Sequence, residues 1–298
     1  MTYSEIWHRI ATSYDDGEAR AIARILIEEL FGLSYADIVC GATEQLSADD
    51  TLRLDTAVRR IEQGEPLQHV LGYADFCGNR FCVNGSVLIP RPETEWLVDE
   101  GAKLMSDGST PTDIKKLNSK RILDIGTGSG CIAISLKLRL GDAYVEAWDI
   151  SEEALRTAQD NADALKAEVV FRKRDALRAD NTAAPWDLIV SNPPYICDSE
   201  RSAMDDNVLL HEPHTALFVP DDDPLRFYRA IARYALLTLN IGGSLLFECN
   251  TRYAEATGTM LRDMGFEEVT VSDDCFGLPR FVRGRKNSPS QPSPSGRA

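Results

Sequence analysis

The segment Arg121-Ile122-Leu123-Asp124-Ile125-Gly126-Thr127-Gly128-Ser129-Gly130 decides the fold of this 298-residue chain. Its first half has the pattern of a buried strand, its second half is a glycine turn, and the apolar spacing from Cys131 to Leu140 predicts a helix directly afterwards. Glycine lets the backbone approach a ligand closely, and the start of a helix offers free N–H groups. The spacing G-x-G-x-G differs from the dinucleotide pattern G-x-G-x-x-G, and no Lys-Ser/Thr follows as in a phosphate loop. The segment therefore predicts an α/β protein with a ligand site at the glycine turn, and it favours neither nucleotide-phosphate motif.

Two acidic residues follow later strands at comparable positions. The predicted strand 143–148 leads into Asp149, about 20 residues past the glycines, where a carboxylate can hold two ribose hydroxyls. Capping of a helix by Asp149 or Ser151 is the structural alternative, and both roles can coexist. The predicted strand 168–171 leads to Asp175 in the same way. Three such strand ends at one crevice predict a nucleoside pocket.

The tetrapeptide Asn192-Pro193-Pro194-Tyr195 lies beyond the carboxyl end of another apolar run, 187–191, which is where α/β sheets bind their ligands. The Asn192 side-chain oxygen and the neighbouring backbone C=O can each accept one hydrogen of a planar NH2 group. The prolines stiffen the loop and remove two backbone donors. Tyr195 offers an aromatic face on which a flat amide or nucleobase can lie. A plain Asn-Pro turn explains the tetrapeptide equally well on its own, and the glycine motif favours the ligand site.

The organisation of the chain can be predicted from its periodicity. Apolar residues at helical spacing over 19–30 and 54–61 predict a small helical bundle in residues 1–72. Two short alternating strands joined at Gly78-Asn79 predict a β-hairpin linker within 73–90. Helices and strands alternate over 91–285, which predicts a seven-stranded, mostly parallel sheet with helices on both faces. The Ser- and Pro-rich tail 286–298 is predicted to be disordered.

Taken together, these motifs resemble the class I S-adenosylmethionine-dependent methyltransferases. With the tetrapeptide, the segments 64–72 (GEPLQHVLG), 87–95 (VLIPRPETE) and 212–217 (EPHTAL) are similar to signatures of the peptide chain release factor N5-glutamine methyltransferases. The resemblance implies a Rossmann-like methyltransferase sheet and S-adenosylmethionine as cofactor. It also implies methyl transfer to the glutamine of the Gly-Gly-Gln motif in release factors, with the helical bundle as docking surface. The segment Phe247-Glu248-Cys249-Asn250 departs from the Glu-x-Gly-x-x-Gln pattern common in this family.

The resemblance also implies the site residues. The implied cofactor-binding residues are Asp124, Gly126, Thr127, Gly128, Ser129, Gly130, Asp149, Asp175, Ala176 and Asn192. The implied substrate-binding residues are Asn192, Pro193, Pro194, Tyr195, Arg91 and Glu93, although Arg91 and Glu93 also suit a rigid helix entry. Asn192, Pro193 and Tyr195 are the predicted catalytic residues.

These residues are predicted to act by positioning the glutamine amide for methyl transfer. The Asn192 oxygen and the Pro193 carbonyl each take one hydrogen of the glutamine amide, and Tyr195 stacks on the amide plane. Positioning of a poor nucleophile can supply several kcal/mol, and hydrogen bonds to a nitrogen that gains positive charge strengthen in the transition state. No general base is predicted because the product proton is acidic enough to leave to water, and no metal is predicted.

Composition helps to decide between a protein and a nucleic acid as the methyl acceptor. A formal net charge of −15 argues against duplex DNA, since DNA affinity rests largely on Lys and Arg contacts. The basic cluster Arg172, Lys173, Arg174 and Arg178 is interpreted as a solvated surface. An amino-methylating nucleic-acid (adenine) methyltransferase, which would have to flip a base out of its stack, is the runner-up. A non-catalytic cofactor-binding scaffold is the third hypothesis.

Cysteine usage and the lack of apolar segments predict the compartment. Seven cysteines without a C-x-x-C pair suggest reduced thiols in a cytosolic protein. No apolar stretch approaches the ~20 residues needed to cross a bilayer, and the amino terminus has no signal-peptide pattern. The expectation is a cytoplasmic monomer whose partners are release factors, with no direct contact to DNA or a membrane.

Overall fold

The computed structural model describes residues 1–106, 120–179 and 185–287. Five helices form the amino-terminal bundle. The ends of the first four match their sequence: Thr2, Asp15, Ser34 and Ser47 each accept a backbone N–H as N-caps, and Gly32 ends the second helix with φ +66°. The helices are α1 (Tyr3–Ile10), α2 (Asp16–Phe31), α3 (Tyr35–Val39), α4 (Ala48–Glu62) and α5 (Leu67–Leu71). They enclose their own apolar core, which includes Ile6, Leu26 and Ile61.

A β-hairpin follows the bundle, as predicted, with strands β1 (Tyr73–Phe76) and β2 (Asn79–Cys82). Its turn lies one residue earlier than predicted, at Cys77-Gly78, because Phe76 pairs with Asn79. Both turn residues have positive φ, +49° and +74°, as a two-residue hairpin turn of the primed type requires. The backbone N–H of Cys77 donates to the Glu95 carboxylate at 2.6 Å, which fastens the turn to the rest of the molecule.

The central sheet has seven strands in the order β10-β11-β9-β6-β3-β4-β5. Among the described strands of this sheet, β11 runs opposite to the other six, so the predicted mostly parallel α/β sheet is confirmed. The strands are β3 (Arg121–Ile125), β4 (Tyr144–Asp149), β5 (Val169–Lys173), β6 (Trp186–Ser191), β9 (Leu239–Glu248), β10 (Phe266–Asp273) and β11 (Pro279–Lys286). A two-stranded parallel pair, β7 (Ile196–Cys197) with β8 (Phe218–Val219), lies outside this sheet.

Helices cover both faces of the sheet, which explains why its central strands β3 and β6 are buried on both sides. On β3, Ile122 belongs to one core and Leu123 to the other, following the alternation of side chains along a strand. The first core includes residues of α6 (Glu95–Met105), α7 (Cys131–Leu140) and α8 (Glu152–Leu165), and the second includes residues of α11 (Arg226–Thr238) and α12 (Ala254–Asp263). Two short helices, α9 (Asp206–His211) and α10 (His214–Leu217), precede β8.

The carboxyl-terminal boundary differs slightly from the prediction. Strand β11 continues through Lys286, whose ammonium donates to the backbone oxygen of Leu239 at 2.7 Å. The rest of the predicted disordered tail, 288–298, lies outside the described residues. Within the described part of the chain, no helix is long and apolar enough to span a membrane.

Candidate active site

The glycine turn after β3 bends back against the next strand. Gly126, Gly128 and Gly130 all have positive φ, at +78°, +53° and +82°, a region that glycine enters without steric cost. The backbone N–H groups of Gly126 and Thr127 donate to the backbone oxygen of Trp148 at 2.8 and 2.9 Å. These bonds hold the turn beside the carboxyl end of β4.

Asp124 supports the turn from behind. Its side chain is fully buried and accepts the Thr127 hydroxyl at 2.6 Å. Burial raises the pKa of Asp124 to about 7, because removal from water disfavours the charged carboxylate. Asp124 does not line the cavity described below, so its position suits shaping of the turn more than contact with a ligand.

Asp149 connects the turn to the following helix. One carboxylate oxygen accepts the Gly128 N–H and the other accepts the Ser151 N–H, both at 2.9 Å. Ser151 is the N-cap of α8. Burial raises the pKa of Asp149. Because a carboxylate can accept about four hydrogen bonds, Asp149 keeps lone pairs for a ligand while it orders the loop.

Asp175 and Ala176 lie at the end of β5 on the same edge of the sheet. Asp175 caps the short 3-10 helix Ala176–Arg178 by accepting the Leu177 N–H at 2.8 Å. The basic cluster nearby is only partly the solvated surface that was expected. Arg174 lines the cavity, its guanidinium lies 4.8 Å from the Trp148 ring centroid, and its backbone N–H donates to the backbone oxygen of Asp149 at 2.9 Å.

A cavity of about 360 Å³ opens at this edge of the sheet, within the range of small-molecule sites. It brings together most of the predicted site residues, namely Gly126, Thr127, Gly128, Ser129, Asp149, Asp175, Ala176, Asn192, Pro193, Pro194 and Arg91. Apolar side chains complete the wall, including Ile132, Ile150, Leu177, Phe227 and Ile231. Four predicted residues do not line it: Asp124, Gly130, Glu93 and Tyr195.

The side-chain amide of Asn192 is held at its nitrogen end. Nδ2 donates to the Thr94 hydroxyl at 3.4 Å, and Thr94 in turn donates to the Glu248 carboxylate at 2.7 Å. This arrangement leaves the Asn192 oxygen as the end of the amide available to a ligand in the cavity. Pro193 and Pro194 follow directly on the cavity wall.

Tyr195 faces away from the cavity. Its hydroxyl donates to Glu248 at 3.2 Å, and its ring packs against the core on the face covered by α11. Burial, together with the adjacent Glu248 carboxylate, raises the pKa of Tyr195 well above that of an exposed tyrosine. In this conformation the ring does not present the stacking face predicted for it, because its hydroxyl satisfies a buried carboxylate.

Arg91 lines the cavity and forms an ion pair with Glu212. The Glu212 carboxylate is buried and also accepts the Ile89 N–H at 3.2 Å. Arg91 is thereby fixed on the wall, whereas Glu93 is in the first turn of a short 3-10 helix, Pro92–Thr94. The described residues contain no cluster of three or more potential metal ligands.

Sequence reasoning missed Thr94, Glu248 and Glu212, which hold Asn192 and Arg91 in place. Glu212 was visible only as part of a family motif. Glu248 belongs to the segment 247–250, which departs from a family pattern after this glutamate, and the sequence assigns it no role. The sequence signal that could have drawn attention to Glu248 is a carboxylate directly after the apolar run 245–247, at the point where β9 ends.

The residues around the cavity fit a nucleoside joined to a small charged group. Asp149 and Asp175 offer acceptors at adjacent strand ends, and the wall is largely apolar. At Gly128 an added Cβ would meet nothing within 4 Å, so the turn presents bare backbone to open space.

Comparison with known proteins first shows the fold class of this chain. Residues 96–217 match the family model described as the methyltransferase small domain. A methyltransferase structure from Pyrococcus furiosus superimposes with a TM-score of 0.50 at 14% identity, covering 81% of this chain and 100% of that chain, which shows a shared fold. The chain therefore has the α/β fold of the methyltransferases.

Sequence relatives then define the family. Residues 8–72 match the PrmC N-terminal domain. A release factor glutamine methyltransferase from Bacteroides thetaiotaomicron is 43% identical over 274 residues, covering 92% of this chain and 95% of the relative. A release factor glutamine methyltransferase from Flavobacterium psychrophilum is 37% identical over 278 residues, covering 92% and 94%. The chain belongs to the release factor glutamine methyltransferase family, as its motifs predicted.

Proposed function

We propose that this protein transfers the methyl group of S-adenosylmethionine to the side-chain amide nitrogen of the glutamine in the Gly-Gly-Gln motif of peptide chain release factors. Membership of the family supports the reaction and the substrate class. The observation that carries the proposal is the Asn192 amide, whose nitrogen is bound to Thr94 while its residue lines the cavity. An acceptor oxygen fixed at that point suits an incoming NH2 group.

The cavity residues divide between donor and acceptor in this proposal. Asp149 would hold the ribose hydroxyls, Asp175 and Ala176 would lie against the adenine, and the turn from Gly126 to Gly128 would border the remainder of the donor, since all of these residues line the cavity. Apolar side chains such as Ile150 exclude water from the base. Bound S-adenosylmethionine supplies an electrophilic methyl group on a sulfonium.

The protein activates the acceptor by position. The lone pair of an amide nitrogen is delocalised into its carbonyl, so the nitrogen reacts only when it is held closely. The Asn192 oxygen and the Pro193 carbonyl accept its two hydrogens, and both bonds strengthen as positive charge develops on nitrogen. The nitrogen gains the methyl group, one of its protons leaves to water, and the donor leaves as the neutral thioether. No cavity carboxylate is required as a base.

Arg91 has a separate part in the proposal. Its guanidinium lines the cavity and is anchored by the buried Glu212. A fixed multiple donor on the wall suits backbone carbonyls of the substrate segment that carries the glutamine. Tyr195 would stack on the amide only after it leaves Glu248.

The test is transfer of labelled methyl from S-adenosylmethionine to a purified release factor. We expect label on the intact factor and none on a variant with alanine in place of the glutamine of the motif. Duplex DNA, offered separately, tests the amino-methylating nucleic-acid alternative, and label on DNA alone would replace the proposal with that alternative. Donor binding without label on any acceptor would favour a non-catalytic scaffold.

Asn192→Ala tests the residue on which the proposal depends. Loss of one oriented polar partner predicts a fall in kcat of roughly 10²-fold or more, with donor affinity much less affected. The matched control is Asn240→Ala: Asn240 is exposed at the start of β9 and donates to Asp187 at 3.0 Å, at the end of the sheet remote from the cavity. Equal kcat values for the two variants would remove Asn192 from the mechanism.

Two expectations accompany the proposal. Because its substrates act in translation, the protein is placed in the cytoplasm, without membrane or DNA contacts. It is expected to act as a monomer, which sedimentation of the purified protein would test.

A further inference from the structure

A chain of hydrogen bonds runs from the cavity into the protein interior. It begins at the Asn192 amide nitrogen, continues through the Thr94 hydroxyl and reaches one oxygen of the Glu248 carboxylate. The other oxygen of Glu248 accepts the Tyr195 hydroxyl at 3.2 Å. Both Thr94 and Glu248 are buried, with exposures of 3% and 2%, and Thr94 also lines the cavity.

The number of hydrogens on each group determines which atom donates in each of these hydrogen bonds. A threonine hydroxyl has one hydrogen to donate, and Thr94 gives it to Glu248, an acceptor with no hydrogen of its own when ionised. Thr94 can therefore offer Asn192 only a lone pair, which selects the NH2 end of the amide. With the amide turned over, its oxygen would face the Thr94 oxygen with no hydrogen between them.

This direction requires an ionised Glu248, and three neighbouring groups favour the charged form. Burial raises its pKa, while the Thr94 hydrogen bond, the Arg280 guanidinium and the Tyr195 hydrogen bond oppose the rise. Arg280 is itself paired with the buried Asp274 at 2.7 Å. Glu248 does not line the cavity, so its effect on a bound substrate must pass through its neighbours.

We propose that Glu248 and Thr94 are positioning residues that fix which end of the Asn192 amide faces the substrate. The inference rests on the proposed function, since it concerns how the acceptor oxygen for the glutamine NH2 is aimed. It adds to the Asn-Pro-Pro-Tyr loop a carboxylate from β9 and a hydroxyl from the 3-10 helix Pro92–Thr94. The same carboxylate holds Tyr195, so one buried group orders both polar side chains of the tetrapeptide.

The test is a double-mutant cycle with Thr94→Val and Asn192→Ala, because coupling reveals residues that act together. Thr94→Val keeps the shape of the side chain and removes its hydrogen bonds. We expect it to lower kcat by about 10-fold in the otherwise unchanged protein, less than Asn192→Ala, because the oxygen stays present but loses its alignment. KM for the release factor and affinity for the donor should change little.

In the Asn192→Ala background, Thr94→Val should lower kcat no further. Thr94→Ser keeps a hydroxyl and should restore kcat to near its original value. The matched control is Thr238→Val: Thr238 is buried at the end of α11, donates its hydroxyl to the Tyr234 backbone oxygen at 2.8 Å and does not line the cavity, so kcat should be unchanged.

Glu248→Gln provides a second test of the inference, whose result does not depend on the stability of the single variant Thr94→Val. Its amide has a single acceptor oxygen for two hydroxyl donors, so kcat should fall, and Thr94→Val should add little to that loss. Independent, multiplicative losses in either cycle would overturn the inference, as would unchanged kcat in Thr94→Val. These outcomes are distinct from a failure of the proposed function, in which the unaltered protein would leave the glutamine unmethylated.

Discussion

Gly130→Ala should destabilise the protein much more than Gly128→Ala, although both glycines belong to one turn. Gly130 has φ +82°, and an added Cβ would lie 2.9 Å from Cδ1 of Ile134 and 3.1 Å from Cβ of Ala158. The end of Ile134 can move, but Ala158 is fixed in α8. Gly128 has φ +53° and would have nothing within 4 Å of its Cβ.

The magnitudes follow from two contributions. A left-handed backbone conformation costs a non-glycine residue about 1–2 kcal/mol, and this applies to both variants. Crowding in a packed interior adds about 1–3 kcal/mol, and this applies only to Gly130→Ala. The expected loss in the free energy of unfolding is therefore about 2–5 kcal/mol for Gly130→Ala and about 1–2 kcal/mol for Gly128→Ala.

Urea unfolding followed by tryptophan fluorescence measures both losses, since the buried Trp148 lies beside the turn. Donor affinity should show the opposite order. Gly128 lines the cavity and Gly130 does not, so the Gly128→Ala methyl group should weaken donor binding more. Equal destabilisation by the two substitutions would refute the packing argument. Weaker donor binding by folded Gly130→Ala than by Gly128→Ala would refute the assignment of the cavity wall.

Two other substitutions test the charged groups. Arg91→Ala leaves the buried Glu212 without its ion-pair partner. The free energy of unfolding, measured by urea titration, should therefore fall by about 1–3 kcal/mol. An unchanged urea midpoint would contradict the role of this pair. Asp124 has a folded-state pKa of about 7 and an unfolded value near 3.9. The folded state therefore binds more protons than the unfolded state between these values, so the free energy of unfolding falls as pH rises from about 3.9 to about 7 and levels off above that. Asp124→Asn should remove this pH dependence of the free energy of unfolding, which is worth up to about 1.4 kcal/mol per pH unit. Identical plots of unfolding free energy against pH for the two proteins would contradict the raised pKa.

Local sequence patterns predicted the strands well because burial on both faces leaves a continuous apolar signature. The runs ending at Ile125 and Ser191 become β3 and β6 of the sheet. Topology then places their carboxyl ends side by side. This is why the glycine turn and Asn192 could be assigned to one crevice before any distance was known.

The fate of Tyr195 could not be predicted in the same way. An aromatic residue after Asn-Pro-Pro suggests a stacking surface, but whether the ring turns to the cavity depends on a partner from another strand. Glu248 lies 53 residues further along the chain, and its carboxylate accepts the Tyr195 hydroxyl. A buried carboxylate without donors is costly, so the tertiary environment determines the direction of the tyrosine.

The amino-acid sequence by itself determined the class of the sheet, the edge at which the site lies and the family. These depend on patterns read within a few residues, such as apolar runs, glycines and the Asn192–Tyr195 loop. Only the tertiary structure decided which side chains aim the site residues, because Thr94, Glu212 and Glu248 act on partners between 53 and 154 residues away. Hydrogen bonds and ion pairs of that kind form only when separate elements pack together and exclude water, and no local spacing records them.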